Sequence, residues 1–223
     1  MVNVAHLDRN PESPVIFHKR RLDIQESTEM KRTIVELDTL QVIIKTAERC
    51  NLACQYCYYF FMGDKSFEGR KPIMPQDVYR KIPGFLENAV RSLQIKHVNV
   101  AFHGGEPTLQ KLKDFDSFCE LLHVTLSPLT RLSLTIQTNG LHLPKPWTEC
   151  LARHNVKLGL SIDGPAEYHD KFRTDNKGRG SYQRIETNVR SLLEDEESAK
   201  KLRLASISVM NHSFDISKVN GLC

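Results

Sequence analysis

The sequence has no long hydrophobic run. No stretch approaches the roughly 18 uninterrupted apolar residues that a membrane-spanning helix needs, and the opening MVNVAHLDRNPESP places no apolar run behind a basic start. No membrane partner is expected, and a cytoplasmic setting is. Charge of one sign is scarce too: 31 basic residues are nearly balanced by 27 acidic ones scattered along the chain, for a net charge of +4. Nothing therefore demands a nucleic-acid partner, and a peptide substrate is equally compatible. In a reducing compartment disulfides are not expected, so the six cysteines read as metal ligands or core thiols. What the chain does have is apolar content: 223 residues at 40% hydrophobic can bury a substantial core as one domain or at most two.

Residues 1–38 are polar and lack a period, and read as an N-terminal extension before one domain over 39–223. LQVIIKT (40–46) is a short β-branched run of the kind that forms a buried strand. Further strands are expected at HVNVAF (97–102), LSLTIQT (132–138), VKLGLSI (156–162) and LRLASISVM (202–210). Between them lie helical stretches at 77–93, 112–124, 147–154 and 182–193. Strands alternating with helices imply parallel βαβ units with right-handed crossovers. The expected product is an α/β fold, an open, partial (β/α) TIM-like barrel of about five parallel strands with outer helices, whose chemistry sits at the carboxyl ends of the strands.

The motifs fall at those ends. Directly after the first strand comes Cys50-Asn51-Leu52-Ala53-Cys54-Gln55-Tyr56-Cys57, a CxxxCxxC loop. Three thiolates can bind three irons of a cubane cluster and leave the fourth iron open. The alternative, structural zinc, commonly takes a fourth Cys or His from a second pair, and Cys119, Cys150 and Cys223 are isolated from one another in sequence. Cys119, in a helical apolar pattern, reads as a small core residue. The second strand ends in His103-Gly104-Gly105-Glu106-Pro107, where two glycines let backbone approach a ligand and a carboxylate can pair with an ammonium group. The third ends in Gln137-Thr138-Asn139-Gly140, by itself a turn signal. The fourth ends in Ser161-Ile162-Asp163-Gly164-Pro165, followed by His169, Asp170 and Arg173.

CNLACQYCYY resembles the signature of the radical S-adenosylmethionine (SAM) superfamily, with an aromatic before the last cysteine. FHGGEPTL, IQTNG and SIDGP with HDxxR resemble its peptide-modifying branch, which includes anaerobic sulfatase-maturing enzymes and maturases of ribosomally made peptides. The likeness runs over residues 41–210. It implies a barrel of the radical SAM type, a 4Fe-4S cluster on Cys50, Cys54 and Cys57, and SAM as the second cofactor. Tyr56 is then expected beside the adenine, Gly104 and Gly105 at the methionine part, Glu106 at its ammonium, Ser161 at the ribose and Arg173 at the carboxylate. The resemblance names no catalytic side chain. It implies that one electron from the cluster splits SAM into methionine and a 5′-deoxyadenosyl radical, which abstracts hydrogen from the substrate.

The insert Tyr58-Tyr59-Phe60-Phe61-Met62-Gly63-Asp64-Lys65-Ser66, followed by Arg70-Lys71-Pro72, resembles maturases that crosslink side chains of a precursor peptide (cyclophane formers), and formylglycine formation in a sulfatase is the alternative. Implied partners are a precursor peptide or protein and an electron donor such as flavodoxin or ferredoxin. The resemblance also leads one to expect a sixth strand and a cysteine-rich auxiliary-cluster region, which the residues after Met210 do not supply. A core domain incomplete at its C-terminus is therefore expected, either catalytically silent by itself or completed by a C-terminal half on another chain. The fifth strand would then be an open apolar edge that lowers solubility.

Overall fold

Five parallel strands alternate with helices along residues 37–209, the part of the chain that this computed structural model describes. All but the last two residues of the expected N-terminal extension lie outside the described residues, as does the chain from Met210 onward. The strands are β1 (Thr39–Ala47), β2 (His97–Gly104), β3 (Arg131–Thr138), β4 (Val156–Ser161) and β5 (Leu204–Ile207). They pair in the order β1-β2-β3-β4-β5, every neighbour parallel. Between them run α1 (Gln76–Leu93), α2 (Leu112–Leu126), α3 (Lys145–Arg153), α4 (Ala166–Phe172), α5 (Tyr182–Glu194) and α6 (Glu196–Lys201). This is the partial barrel that the strand and helix rhythm implies.

The pleat decides where the core sits. Along β2, Val98, Val100 and Phe102 are fully buried, while the alternate residues His97, Asn99, Ala101 and His103 face the other way and are only half-buried. The buried set joins Leu134 and Ile136 of β3, Leu158 and Leu160 of β4, and the inner stripes of the helices in one cluster. On α1 that stripe is Tyr79, Pro83, Leu86 and Val90, the spacing of one helical face. The Phe102 ring lies 4.9 Å from Phe115 and 5.9 Å from Phe118, and Phe115 lies 5.1 Å from Trp147. Edge-to-face packing thus ties β2 to α2, and a tilted ring pair ties α2 to α3.

Three features depart from the sequence reading. β1 is not a strand buried on both faces: its burial alternates over most of its length and Ile43 is 65% exposed, because helices cover only one face of the sheet. α4 and α6 are too short, at seven and six residues, to register as periodic segments. β5 is shorter than the nine-residue run suggested, and all four of its residues are exposed.

Candidate functional site

The three cysteines lie on the loop after β1, and that loop is stapled to the segment after α4. Ala53 N–H donates to the Thr174 carbonyl (2.8 Å) and Gln55 N–H to that of Phe172 (3.1 Å). Donors gather on the sulfurs: Leu52 N–H and Asn139 Nδ2 lie 3.4 and 3.7 Å from Cys50 Sγ, and Arg173 Nη1 lies 3.9 Å from Cys54 Sγ. Burial pushes the Cys50 thiol up to about 12 and raises that of Cys54, Arg173 opposing the shift at Cys54. Both stay protonated near neutral pH until a cation takes the place of the proton. Three thiolates on one loop can each ligate one iron of a cubane and leave the fourth iron open.

The Gly104-Gly105-Glu106 turn does something other than its residue types alone suggest. A Cβ at Gly104, where φ is +123°, would lie 2.3 Å from the Ala47 carbonyl oxygen, and one at Gly105 would lie 2.1 Å from that of Arg49. What the glycines approach is therefore the backbone entering the cysteine loop. The contact is bonded, with Gly105 N–H on Ala47 O at 2.8 Å and Glu106 N–H on Arg49 O at 2.9 Å. Glu106 is completely buried. Its Oε1 accepts from Thr108 N–H (3.0 Å), Thr108 Oγ1 (2.7 Å) and Thr138 Oγ1 (2.7 Å), and its Oε2 from Asn139 N–H (2.8 Å). These four donors come from the ends of β2 and β3, and Glu106 is not among the residues that line the cavity described below, where the expected contact with the ammonium group of SAM would be made.

A second buried carboxylate gathers the remaining residues. Asp163 Oδ2 accepts from the Tyr56 hydroxyl and from Arg173 Nε at 2.9 Å, and Oδ1 accepts from Val209 N–H at 3.0 Å. The Arg173 guanidinium also lies 5.5 Å from the Tyr56 ring centroid. Behind Asp163 stands His169, fully buried. Its Nδ1 accepts from Asp163 N–H (3.2 Å), which leaves Nε2–H to donate to Ser181 Oγ (2.9 Å), and that hydroxyl donates to the Arg173 carbonyl (2.7 Å). The ring is therefore neutral, and burial, helped by the nearby Arg173 charge, lowers its pKa to about 4.

Cys50, Cys54, Cys57, Tyr56, Gly104, Gly105, Ser161 and Arg173 all line one cavity of about 380 Å³ at the carboxyl ends of the strands. Of the residues expected from sequence, only Glu106 is absent from its wall. Gln137 Nε2 donates to Ser161 Oγ at 2.8 Å, fixing the hydroxyl. Tyr58, Tyr59 and Phe60 close one side. Tyr59 is buried under Lys45 Nζ, 3.7 Å from its ring centroid, with Phe60 and Phe67 at 4.8 and 5.7 Å. A larger cavity of about 490 Å³, lined by His142, Asp175 and Arg184, contains no cysteine and lacks a donor set of this kind.

Residues 44–197 match the family model described as the radical SAM superfamily. The chain belongs to that superfamily. Radical SAM proteins use a 4Fe-4S cluster and SAM. Similar curated proteins include the serine-type anaerobic sulfatase-maturating enzyme of Bacteroides thetaiotaomicron, 32% identical over 143 residues, which are 64% of this chain and 34% of that protein. The cysteine-type anaerobic sulfatase-maturating enzyme of Clostridium novyi is 30% identical over 161 residues, 70% of this chain and 41% of that protein. The solved structure described as native anSMEcpe with bound AdoMet and Cp18Cys peptide aligns with a TM-score of 0.68 at 27% identity, covering 82% of this chain and 47% of that one. The chain spans less than half the length of each of these relatives.

Reasoning from sequence gave Asn139, Asp163 and His169 no role around this cavity. Asn139 was visible only as part of a turn, yet its Nδ2 donates to Asn51 Oδ1 at 2.7 Å beside Cys50. Asp163 and His169 stood inside quoted motifs without a role. Their one available signal was position, immediately beyond the end of β4.

Proposed function

We propose that this chain is the SAM-cleaving part of a peptide-modifying radical SAM enzyme related to the anaerobic sulfatase maturases. Cys50, Cys54 and Cys57 hold the 4Fe-4S cluster, and the adjoining cavity holds SAM. The observation that carries this reading is the single cavity shared by the three thiols and by residues from the ends of β1, β2, β3 and β4. When bound, the cluster supplies the electron that splits SAM, giving a radical able to take hydrogen from an unactivated carbon.

The chain's own residues hold, orient and shield. Leu52 N–H and Asn139 favour the thiolate form of Cys50, and the Arg173 charge favours that of Cys54. Asp163 locks Arg173 and the Tyr56 hydroxyl together, so a carboxylate-binding cation and an aromatic face are presented in fixed relation to the cysteines. Tyr59, Phe60 and Phe67 pack as a wall that keeps water from one side. Among the described residues the buried Tyr59 hydroxyl has no hydrogen-bond partner.

The serine-type and cysteine-type sulfatase-maturating relatives favour oxidation of a Cys or Ser side chain in a protein substrate to formylglycine. A flavodoxin or ferredoxin is the proposed electron donor. Crosslinking of a precursor peptide is the second reading. It is favoured by Tyr58, Phe61 and Met62, which are 63, 54 and 67% exposed on the aromatic segment. The test is anaerobic reconstitution with iron and sulfide, then incubation with SAM, dithionite and either a sulfatase peptide or an aromatic-rich precursor peptide. About four irons per chain and 5′-deoxyadenosine are expected, both abolished when all three loop cysteines are replaced by Ala. An aldehyde in the sulfatase peptide supports the first reading and a crosslinked precursor the second. Iron and visible absorbance that survive the triple replacement would overturn both.

A further inference from the structure

On the outer layer of the barrel, far along the chain from the cysteine loop, three metal-ligand side chains converge between α2 and α3. Asp116 belongs to α2, Cys150 to α3, and His154 caps the C-terminus of α3. Their ligand atoms, one from each residue, all lie within 4.8 Å of one another. Asp116 Oδ1 is the meeting point, 2.6 Å from His154 Nε2 and 3.6 Å from Cys150 Sγ. Cys150 and His154 are one helical turn apart, so both project from the same side of α3 and can chelate one ion.

We propose that Asp116, Cys150 and His154 form a mononuclear zinc site that clips α2 to α3, independent of the cluster loop. One thiolate, one imidazole and one carboxylate are the donor types that zinc takes, and the two negative charges balance the ion. Burial shields it, since Cys150 is 1% and His154 6% exposed. Access comes through Asp116, whose side chain is 41% exposed and leaves a fourth position to water. The 57%-exposed Arg153, now 2.6 Å from Asp116 Oδ1, can swing aside at small cost. Behind the site His123 holds its histidine in place: Nε2–H donates to the His154 carbonyl at 3.1 Å, and the two rings stack at 5.8 Å with 15° between planes. A protein hydrogen-bond hub with no affinity for metal is the competing account, and it binds nothing.

The experiment uses the cluster-loaded chain, so that zinc cannot occupy the iron site, dialysed against zinc and measured for both metals. About one zinc beyond the irons is expected, lost in Cys150→Ala and in His154→Gln, and retained when Cys50, Cys54 and Cys57 are all Ala. Zinc-edge X-ray absorption on the unsubstituted chain needs no variant to fold, and should find one sulfur at about 2.3 Å with the rest nitrogen or oxygen at about 2.0–2.2 Å. A zinc content no higher than that of His154→Gln, or a zinc shell without sulfur, would overturn the site. Neither result bears on SAM cleavage.

Discussion

Replacing Glu106 by Gln separates a carboxylate that binds SAM from one that holds the strand ends. In the amide, the remaining oxygen can keep the three donors now on Oε1, two from Thr108 and one from Thr138. The NH₂ group must then face Asn139 N–H, which loses its 2.8 Å acceptor. A bond to a charged group contributes about 1.5–3 kcal/mol, and a buried N–H without a partner costs about 1–3 kcal/mol more. The expected loss is about 3–5 kcal/mol. At about 2–4 °C per kcal/mol for a chain of this size, melting falls by about 6–20 °C. The assay is anaerobic thermal unfolding of both chains without SAM, followed by SAM titration. A ligand-binding role predicts unchanged melting and weakened SAM binding. A variant that melts with the parent yet loses SAM affinity would refute the reasoning from buried hydrogen bonds.

The Gly105→Ala change tests the same turn sterically: a Cβ 2.1 Å from the Arg49 carbonyl oxygen pushes the loop away, at about 1–3 kcal/mol. Iron bound per chain after reconstitution should drop, and full iron content with unaltered melting would contradict it. His169 predicts a dependence on pH. Its folded pKa of about 4 lies below the usual 6.5, so the unfolded chain takes the proton first and stability falls as pH drops from about 6.5 to 4. At 1.36 kcal/mol per unit this is about 2 kcal/mol by pH 5 and about 3 kcal/mol at full protonation. Denaturant unfolding at pH 7 and pH 5 measures it against His169→Gln, which stays neutral. An equal acid loss in the variant would show that the histidine is not the source.

The strand positions and the CxxxCxxC loop were legible because each is encoded locally. A β-branched run marks β1 wherever it packs, and three cysteines within eight residues must end on one loop. The motif after each strand was likewise readable, since parallel strands joined by helices bring their carboxyl ends to one side. Ile43 was misread because the same apolar run serves a strand covered on one face or on two, and only the layers around it decide.

Partners of polar groups were not legible in this way. Tyr56 and Asp163 are 107 residues apart in sequence, and the pairing of Glu106 with Asn139 depends on how the ends of β2 and β3 meet. Asp116, Cys150 and His154 look isolated along the chain and meet only because α2 packs beside α3. Local periodicity states which face of an element turns inward. The register of neighbouring strands and the seating of helices choose what that face meets. By itself the sequence determined the order of strands, the cysteine loop and the set of residues at the strand ends. Only the tertiary structure decided which carboxylate is spent on the scaffold and which is set behind the cavity, because buried charge persists only where distant donors converge on it.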